Sequence, residues 1–306
     1  MTIRYLRIFI AVVDYQTMNA ASKALHIAQP SISQAIAEME NYYGIKLFDR
    51  LSKRLYLTDN GRRLLPYARY IVSSFDTMEL ELKHVAAKPL VRLGATIVFS
   101  TCFLPEIVKR MEDDFMQIEL NIRVTNTKTV EQMILDSELD IGIVEGVISD
   151  PNIICTHLLT DQLCLICSKK HKFYGQSITM EDLQGESVIS RESYSYLTNY
   201  LLQLAKQHGV TYREIWRCSG NEAILSAVRS GHGVTIASSI LVADELNSGE
   251  FYAIPIKDVT LLREFSIVYH KNKFIYPALT ETIEMCQRYV QEVIKREQET
   301  THFILP

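Results

Sequence analysis

The spacing of apolar residues is most regular in a short segment near the start of the chain. Within residues 28–44, Ile32, Ile36, Met39 and Tyr43 are separated by four, three and four positions. This spacing places the four side chains on one face of an α-helix, the face expected to be buried. The opposite face carries short, mostly uncharged polar side chains. These can bond to base edges in a DNA major groove, or they can simply face water.

The residues around this helix predict a helix-turn-helix. Pro30 suits the first turn of the helix, and Gly44 suits the position just after its end. Upstream, Thr17 is a good N-cap for a second helix over about 17–26, and residues 26–29 make a short turn between the two helices. Two helices joined by so short a turn form a common DNA-binding unit.

A further helix and a hairpin complete the predicted domain. The helix, over about 3–15, offers an apolar face on which the other two can pack. After the helix-turn-helix, the short apolar strands predicted in 46–50 and 55–57 flank the basic tip 51–54, a pattern that indicates a β-hairpin. The first 58 residues therefore predict a winged helix-turn-helix.

Residues 3–64 resemble the winged helix-turn-helix of LysR-type bacterial transcriptional regulators, without a gap through the motif. The matching positions are Phe9, Thr17, Ala21, Leu25, Gln29, Pro30, Ser33, Ile36, Glu40, Gly44, Leu47, Phe48, Arg50, Leu57, Thr58 and Gly61. The chain departs from the family at Gln34, Ala35 and Ala37, where Arg or Gln is frequent, so the reading helix has no basic residue. The resemblance implies binding to double-stranded DNA. The residues predicted to contact it are Thr17, Gln29, Pro30, Ser31, Ser33, Gln34, Glu38, Arg50, Lys53 and Arg54.

The charge distribution agrees with a DNA-binding head. The whole chain has 32 Lys/Arg and 36 Asp/Glu, a net charge of −4. Residues 1–63 hold nine of the basic and five of the acidic residues, a balance of +4, which leaves −8 for the remainder. A basic head on an acidic body fits phosphate binding by the head alone.

The segment that follows predicts a long linker helix, over about 59–87, which ends before Pro89. Its apolar residues alternate in steps of four and three, as in a coiled coil. They are Leu64, Ala68, Ile71, Phe75, Met78, Leu82 and Val85. We expect two copies of the chain to pair along this seam through Ile71, Phe75, Met78 and Leu82. The alternative is an amphipathic helix that packs on its own domain.

From residue 91 onward, predicted strands and helices alternate. Strands are predicted at 91–96, 118–124, 140–144, 163–167, 187–190, 213–217, 233–237 and 264–270, and helices at 101–116, 129–137, 194–208, 221–230 and 277–297. Repeated βαβ units imply parallel sheets with helices on both faces. The late strand fits a chain that crosses twice between two lobes. The predicted fold class is α/β: a winged helix-turn-helix, a long linker helix and a two-lobed domain similar to periplasmic binding proteins.

The second part of the chain also resembles LysR-type regulators, through weaker motifs. Residues 139–143 and 227–234 look like parts of the family's effector domain, although Ser238 stands where Pro is common. The predicted domains are 1–58 for DNA binding, 59–88 for the linker and dimerisation helix, and 89–306 for effector binding. Within the last, lobe I comprises about 89–160 and 266–306, and lobe II about 161–265.

Polar residues at predicted helix starts mark a possible effector site. In open α/β sheets, ligands bind beyond the carboxyl ends of the strands, where helix N-termini offer N–H donors. The predicted effector residues are Ser100, Thr101, Thr127, Thr129, Ser190, Arg191 and Asn221. Arg191 could hold a carboxylate, and the N-termini would also favour a small anion. The alternatives are helix capping for the Ser, Thr and Asn residues and a surface salt bridge for Arg191.

No catalytic or metal-binding pattern emerges from the sequence. Cys164 and Cys167 have C-x-x-C spacing, but in a strand these positions face opposite sides and could not readily bridge or share a metal. Histidines show no metal-ligand spacing, and no glycine-rich phosphate loop is present. We therefore expect neither an enzyme nor a bound cofactor, and we expect structural cysteines.

The remaining features exclude other classes of protein. No apolar run reaches the 18 to 20 residues, roughly, that a membrane span needs. The start of the chain lacks a secretory pattern, so a cytoplasmic protein is expected. The expected partners are DNA, a small-molecule effector and further copies of the chain, as a dimer or the tetramer that the family often forms. The alternatives are an α/β small-molecule-binding protein or an enzyme with an unrecognised site.

Overall fold

The computed structural model of the protein describes residues 1–51, 54–82, 88–192, 195–257 and 259–300. The N-terminal domain consists of three helices and a hairpin: α1 (Ile3–Tyr15), α2 (Met18–Leu25), α3 (Gln29–Tyr43), β1 (Phe48–Leu51) and β2 (Arg54–Leu57). The strands are antiparallel, with Phe48 opposite Leu57. A winged helix-turn-helix is therefore present, as the sequence predicts.

Local signals set the helix ends in this domain. Thr17 Oγ1 accepts the Ala20 N–H at 3.1 Å and caps α2. Gly44 ends α3 with φ +67°, a conformation that glycine adopts without strain. The buried Glu40 accepts the backbone N–H of Leu47 through Oε1 at 2.9 Å. This bond ties the end of α3 to the start of the wing.

The linker helix α4 runs from Asp59 to Leu82 and begins at a polar cap, where Thr58 Oγ1 accepts the Gly61 N–H at 3.0 Å. Leu64 and Ala68 pack into the core of the winged domain. The seam predicted to start at Leu64 is therefore wrong at these two positions, because the first turns of α4 are needed to cover their own domain. Val85, at the other end of the predicted seam, lies outside the described residues.

The rest of the chain forms a two-lobed α/β body. Lobe I contains β3 (Leu90–Ala95), α5 (Ile97–Cys102), α6 (Leu104–Asp114), β4 (Glu119–Val124), α7 (Thr127–Leu135), β5 (Ile141–Glu145) and α11 (Pro277–Thr300). Lobe II contains β7 (Ser187–Arg191), α8 (Tyr196–Gln207), β8 (Arg213–Cys218), α9 (Asn221–Arg229), β9 (Thr235–Ser238), α10 (Ala243–Asn247), β10 (Phe251–Ile254) and a 3-10 turn (Glu181–Leu183). Two long strands, β6 (Ile153–Ser168) and β11 (Leu262–His270), connect the lobes.

The sheet pairing explains how the lobes are joined. In lobe I, β3 lies parallel to both β4 and β5, as expected for βαβ units. Strand β6 pairs antiparallel with β11, and its second half pairs antiparallel with β9 and β10 of lobe II. Separate apolar cores fill the two lobes, one around Phe99 and Phe265 and one around Leu165 and Leu183.

Two predicted elements differ most from the structure in their bounds. The helix expected over 101–116 begins earlier, at Ile97, and is divided into α5 and α6. Pro105 lies in the first turn of α6, where its missing N–H is tolerated, so a new helix starts there. The strand expected over 163–167 is the end of the longer β6. Among the described residues, no helix is long and apolar enough to cross a membrane.

Candidate DNA interface and interlobe effector site

Helix α3 separates an apolar face from a polar face. Ile32, Ile36 and Met39 are buried in the domain core. Tyr43, expected on the same face, is 44% exposed because the helix ends there. Exposed residues of the other face, with the half-buried Ser33, form the surface that we call the α3 reading face. Its members are Gln29, Pro30, Ser31, Ser33, Gln34 and Glu38.

Two residues of the α3 reading face already have partners within the chain. Gln34 Nε2 donates to Glu38 Oε1 at 2.8 Å, and the Tyr5 hydroxyl donates to the other oxygen of Glu38. The bond from Tyr5 and that from Gln34 lower the pKa of Glu38, so this carboxylate is charged at neutral pH. Glu38 thus holds Gln34 in place, which sequence spacing alone did not indicate.

The wing and the start of α2 hold the other predicted DNA residues. Arg50 and Arg54 lie on paired strands of the β1–β2 hairpin. Lys53, together with the side chains of Arg50 and Arg54, lies outside the described residues. Thr17 serves as the N-cap of α2, through its hydroxyl oxygen.

A cavity of about 370 Å³ lies between the two lobes. Both lobes contribute walls to it, and we call it the interlobe cleft. Its apolar lining comes from Ile97, Val98, Val147, Leu197, Ile224, Leu225, Ile236, Ala237 and Leu241. The other lining residues are polar or charged, and they include Arg191, Glu145 and Arg263. A cavity that combines apolar walls with convergent polar groups is typical of small-molecule sites.

The structure brings three of the seven predicted effector residues to this cleft: Thr127, Arg191 and Asn221. Ser100, Thr101, Thr129 and Ser190 do not belong to its lining. Ser100 and Thr101 hydroxyls donate to carbonyls one turn earlier in α5, of Thr96 and Ile97. Thr129 donates its N–H to the capping side chain of Asn126 at 2.9 Å. Ser190 is buried within β7.

Thr96 lines the cleft in the place where Ser100 and Thr101 were expected. It precedes α5 and is only 2% exposed. Its Oγ1 has no hydrogen-bond partner among the residues that the structure describes. A buried hydroxyl without a partner is costly, so Thr96 is a polar group of the cleft lining that a hydrogen bond would stabilise.

Arg191 is the corresponding group of lobe II. Its Nη1 donates to Asn221 Oδ1 at 2.8 Å, and its Nη2 donates to the Ser219 carbonyl at 3.1 Å. These two bonds fix the guanidinium at the end of β7. Its Nε is buried and, within the described part of the chain, has no partner. Arg191 is thus held in position with one donor unused.

A buried ionic group adjoins the cleft, whose lining includes two of its members, Glu145 and Arg263. Arg263, on β11, is fully buried; its Nε donates to Asp161 Oδ2 at 2.7 Å and its Nη1 to Glu145 Oε2 at 2.5 Å. The hydroxyl of Ser238 donates to Asp161 Oδ1 at 2.9 Å. Burial raises the pKa of Glu145 and of Asp161 above the usual values, although Arg263 opposes the change. We call Glu145, Asp161 and Arg263 the hinge triad, because two of its members lie on the strands that join the lobes.

The exposed part of the linker helix has the character expected of a paired surface. Ile71, Met78 and Leu82 are 43%, 44% and 71% exposed in the single chain, and Phe75 is half-buried. These four residues form what we call the linker seam. An apolar stripe of this length on one helix marks a protein interaction surface.

Cys164 and Cys167 do not form a candidate redox or metal site. Cys164 and Cys167 pack into different apolar clusters, on opposite faces of β6. Burial raises the pKa of Cys164 to about 12 and that of Cys167 to about 11, so both are protonated thiols at neutral pH. In the described part of the chain, no group of three or more His, Cys, Asp or Glu residues could hold a metal ion.

Comparison with known proteins agrees with this architecture. A family model described as a bacterial regulatory helix-turn-helix protein of the lysR family matches residues 3–62, and one described as a LysR substrate binding domain matches residues 86–291. The uncharacterized HTH-type transcriptional regulator YeiE of Escherichia coli K12 is 27% identical over 285 residues, which are 93% of this chain and 97% of that protein. The HTH-type transcriptional regulator CysL of Bacillus subtilis is 25% identical over 280 residues, 89% of this chain and 94% of its own.

Solved structures share the fold over nearly the whole chain. A full-length OxyR variant from Pseudomonas aeruginosa has a TM-score of 0.74 at 18% identity, with 95% of each chain covered. Full-length BenM has a TM-score of 0.58 at 22% identity, with 97% of this chain and 98% of its own covered. The family models cover both the DNA-binding head and the two-lobed body. The chain therefore belongs to the LysR family of bacterial helix-turn-helix transcriptional regulators.

Proposed function

We propose that two copies of this regulator read an operator of dyad symmetry, and that a small molecule carrying a carboxylate binds in the interlobe cleft and changes the affinity for that operator. Membership of the family makes the chain a DNA-binding transcriptional regulator controlled by a small-molecule effector. The particular residues, the dimer and the carboxylate are our proposals.

The assignment of the DNA-contacting residues rests on exposure and charge. The α3 reading face presents Gln29, Pro30 and Ser31 at the helix N-terminus, the end that enters the major groove in helix-turn-helix proteins. Because α3 has no basic residue, we assign phosphate contacts to the wing, through Arg50, Lys53 and Arg54. Thr17, Ser33, Gln34 and Glu38 complete the proposed set.

The unused donor of Arg191 is the observation that carries the effector proposal. The guanidinium of Arg191 keeps one N–H donor without a partner, and a carboxylate would accept from it in a charge-assisted hydrogen bond. Thr127 and Asn221 line the same cleft. Residues of both lobes line the cleft, so a ligand there can contact both at once, and a ligand must favour one arrangement of the lobes to regulate anything.

The linker seam supports a homodimer. Pairing two such helices would remove Ile71, Phe75, Met78 and Leu82 from water and would place the two reading heads at a fixed spacing. A tetramer would form from two of these dimers. A regulator of this family works on chromosomal DNA, so we place it in the cytoplasm, and we assign it no catalytic role.

Fluorescence anisotropy with labelled duplexes from the region of its own gene tests the DNA part of this proposal. We expect tight binding at about 50 mM salt that weakens steeply by about 200 mM, because phosphate contacts release counterions. Arg50→Ala with Arg54→Ala should lower affinity for all duplexes and reduce the salt slope by about two. Arg123→Ala, on β4 of lobe I, is the matched control. Equal, weak binding to every duplex at low salt would contradict the proposal.

A further inference from the structure

Glu145 gives the interlobe cleft a hydrogen-bond acceptor, the opposite of the donor that Arg191 offers. Glu145 Oε2 accepts from Arg263, but its Oε1 has no donor among the residues that the structure describes. Glu145 lines the cleft, and its side chain is 15% exposed. A carboxylate oxygen so placed can accept from a hydrogen-bond donor, or pair with a positive charge, of a molecule bound in the cleft.

The charge balance of the hinge triad strengthens this requirement. Glu145 and Asp161 share one guanidinium, that of Arg263, so with both carboxyls ionised the three groups carry a surplus of one negative charge. Arg191 is the further cation whose charge acts on Glu145. Asp161 and Arg263 are fully buried, and the hydroxyl of Ser238 is the additional donor that Asp161 receives. An unbalanced charge is costly in a medium of low dielectric constant. A positive group next to Glu145 would restore the balance.

The cleft as a whole is not an anion site. Its lining includes three cationic side chains and three carboxylates. They are Lys128, Arg191, Arg263, Glu131, Glu145 and Glu192. A simple monoanion bound to Arg191 would leave Glu145 without a donor. A simple amine bound to Glu145 would leave Arg191 without an acceptor.

The two open groups belong to different lobes. Glu145 ends β5 in lobe I, and Arg191 ends β7 in lobe II. Thr96 follows β3, which is paired with β5, so its unpartnered hydroxyl lies on the same edge of the lobe I sheet as Glu145. The lining also contains apolar side chains that could pack against an apolar body, among them Ile97, Val98 and Ile236.

We infer that the effector is a small zwitterion with an apolar body, of the kind represented by an α-amino acid with an apolar side chain. Its carboxylate bonds to Arg191 of lobe II, and its ammonium bonds to Glu145 of lobe I, with Thr96 as a further hydrogen-bond partner. This inference rests on the proposed function and narrows the ligand class. A molecule that needs both lobes for its two charges binds the closed arrangement more tightly than the open one, which is the requirement for a regulatory ligand.

Calorimetric titration of the full-length protein with amino acids and matched analogues tests the inference. The probes are leucine, isoleucine, valine, methionine and phenylalanine, each with its decarboxylated amine and its deaminated acid. We expect at least one amino acid to bind and both of its analogues to bind about tenfold more weakly or not at all, since each loses a charge-assisted hydrogen bond. Glu145→Gln should weaken the binding of the amino acid by a similar factor but should not weaken the binding of the deaminated acid. Glu119→Gln, on β4 outside the cleft lining, is the control.

The outcomes separate this inference from the function on which it rests. If the deaminated acid binds as tightly as the amino acid, the inference of a zwitterionic effector is wrong, whereas the proposal of a carboxylate effector still holds. If none of the five amino acids binds, but a carboxylate without an ammonium group binds and its binding depends on Arg191, the zwitterion is likewise contradicted and the carboxylate effector is not. Failure of amino acids and carboxylates alike would contradict both. Because the analogues are compared on the wild-type protein, the result does not depend on how well Glu145→Gln folds.

Discussion

Arg69 of the linker helix bonds to Glu138 of lobe I, and the same guanidinium lies 2.6 Å from Asp14 of the winged domain. One side chain therefore joins the three parts of a single chain. Nearby, Arg92 of β3 donates to the Ser73 hydroxyl of α4 at 2.8 Å. These contacts are a direct path along which a movement of lobe I could reach the DNA-reading head.

Loss of the Arg69 contacts should uncouple the domains. We expect Glu138→Gln to weaken the bond to Arg69, so that scanning calorimetry shows the winged domain and the body melting at separate temperatures where the wild type melts in one transition. The pair is partly exposed and is worth at most about 1 kcal/mol, so neither domain should lose its own fold. Glu112→Gln, at an exposed position of α6, is the control. A single transition in Glu138→Gln, at the wild-type temperature, would show that Arg69 does not couple the domains.

The linker seam predicts the oligomeric state. Met78→Asp places an unpartnered charge in an apolar interface and should convert the dimer to a monomer in sedimentation experiments. Because Met78 is exposed in the single chain, the folded protomer should remain intact by circular dichroism. Ser74→Asp, on the same helix but off the seam, should leave the dimer in place. A wild-type monomer at micromolar concentration would refute the dimer.

The ionised Asp140 should contribute to the free energy of unfolding, and this contribution should be lost at acid pH. Burial alone would raise the pKa of Asp140, but a hydrogen bond from Arg92 and the charge of Lys273 outweigh it and hold the pKa below the usual value. A lowered pKa in the folded state stabilises the protein above the unfolded pKa, and this contribution is lost as the pH falls through the folded pKa.

The corresponding variant is Asp140→Asn, measured by urea unfolding between pH 7 and pH 3. We expect a loss of about 3–5 kcal/mol at pH 7, because Arg92 and Lys273 keep buried charges without their partner. The decline of stability below about pH 4 should be shallower than in the wild type. Asp113→Asn, at an exposed position, should behave as the wild type does. Equal acid sensitivity of wild type and Asp140→Asn would exclude this role.

The cysteines should be structural. At pH 8, iodoacetamide should modify the exposed Cys155 in the native protein but reach Cys164, Cys167 and Cys286 only after denaturation, because burial hides these thiols and raises their pKa. Mass spectrometry of digests gives the sites. A peroxide-dependent change in operator affinity that disappears in Cys164→Ala or Cys167→Ala would overturn this expectation.

The sequence was most informative where structure depends on neighbours along the chain. Helix α3 follows from the spacing of Ile32, Ile36 and Met39, and its end follows from Gly44. The predicted start of the first helix after β3 is too late, because Thr101 also fits a helix start, whereas the N-cap is Thr96 and the helix is divided near Pro105.

The hinge triad could not be predicted because its members are far apart in sequence. Glu145 and Arg263 are 118 positions apart and meet through the pairing of β5 with β11. The same limit applied to the bonds that fix Arg191: its residue type suggested a carboxylate ligand, but the unused Nε follows from the structure alone. Tertiary pairing therefore decides which of several plausible polar residues face the cleft.

The most direct test of the account is the effector dependence of operator affinity in wild type, Arg191→Gln and Arg213→Gln. Anisotropy titrations with and without a cleft-binding carboxylate give the ratio of the two dissociation constants. For the wild type we predict that the effector raises or lowers the dissociation constant about fivefold or more. Arg213→Gln should behave in the same way, because Arg213 lies on β8 outside the cleft lining. For Arg191→Gln we predict a ratio near one. An Arg191→Gln protein that binds the effector and responds to it as the wild type does would contradict the account.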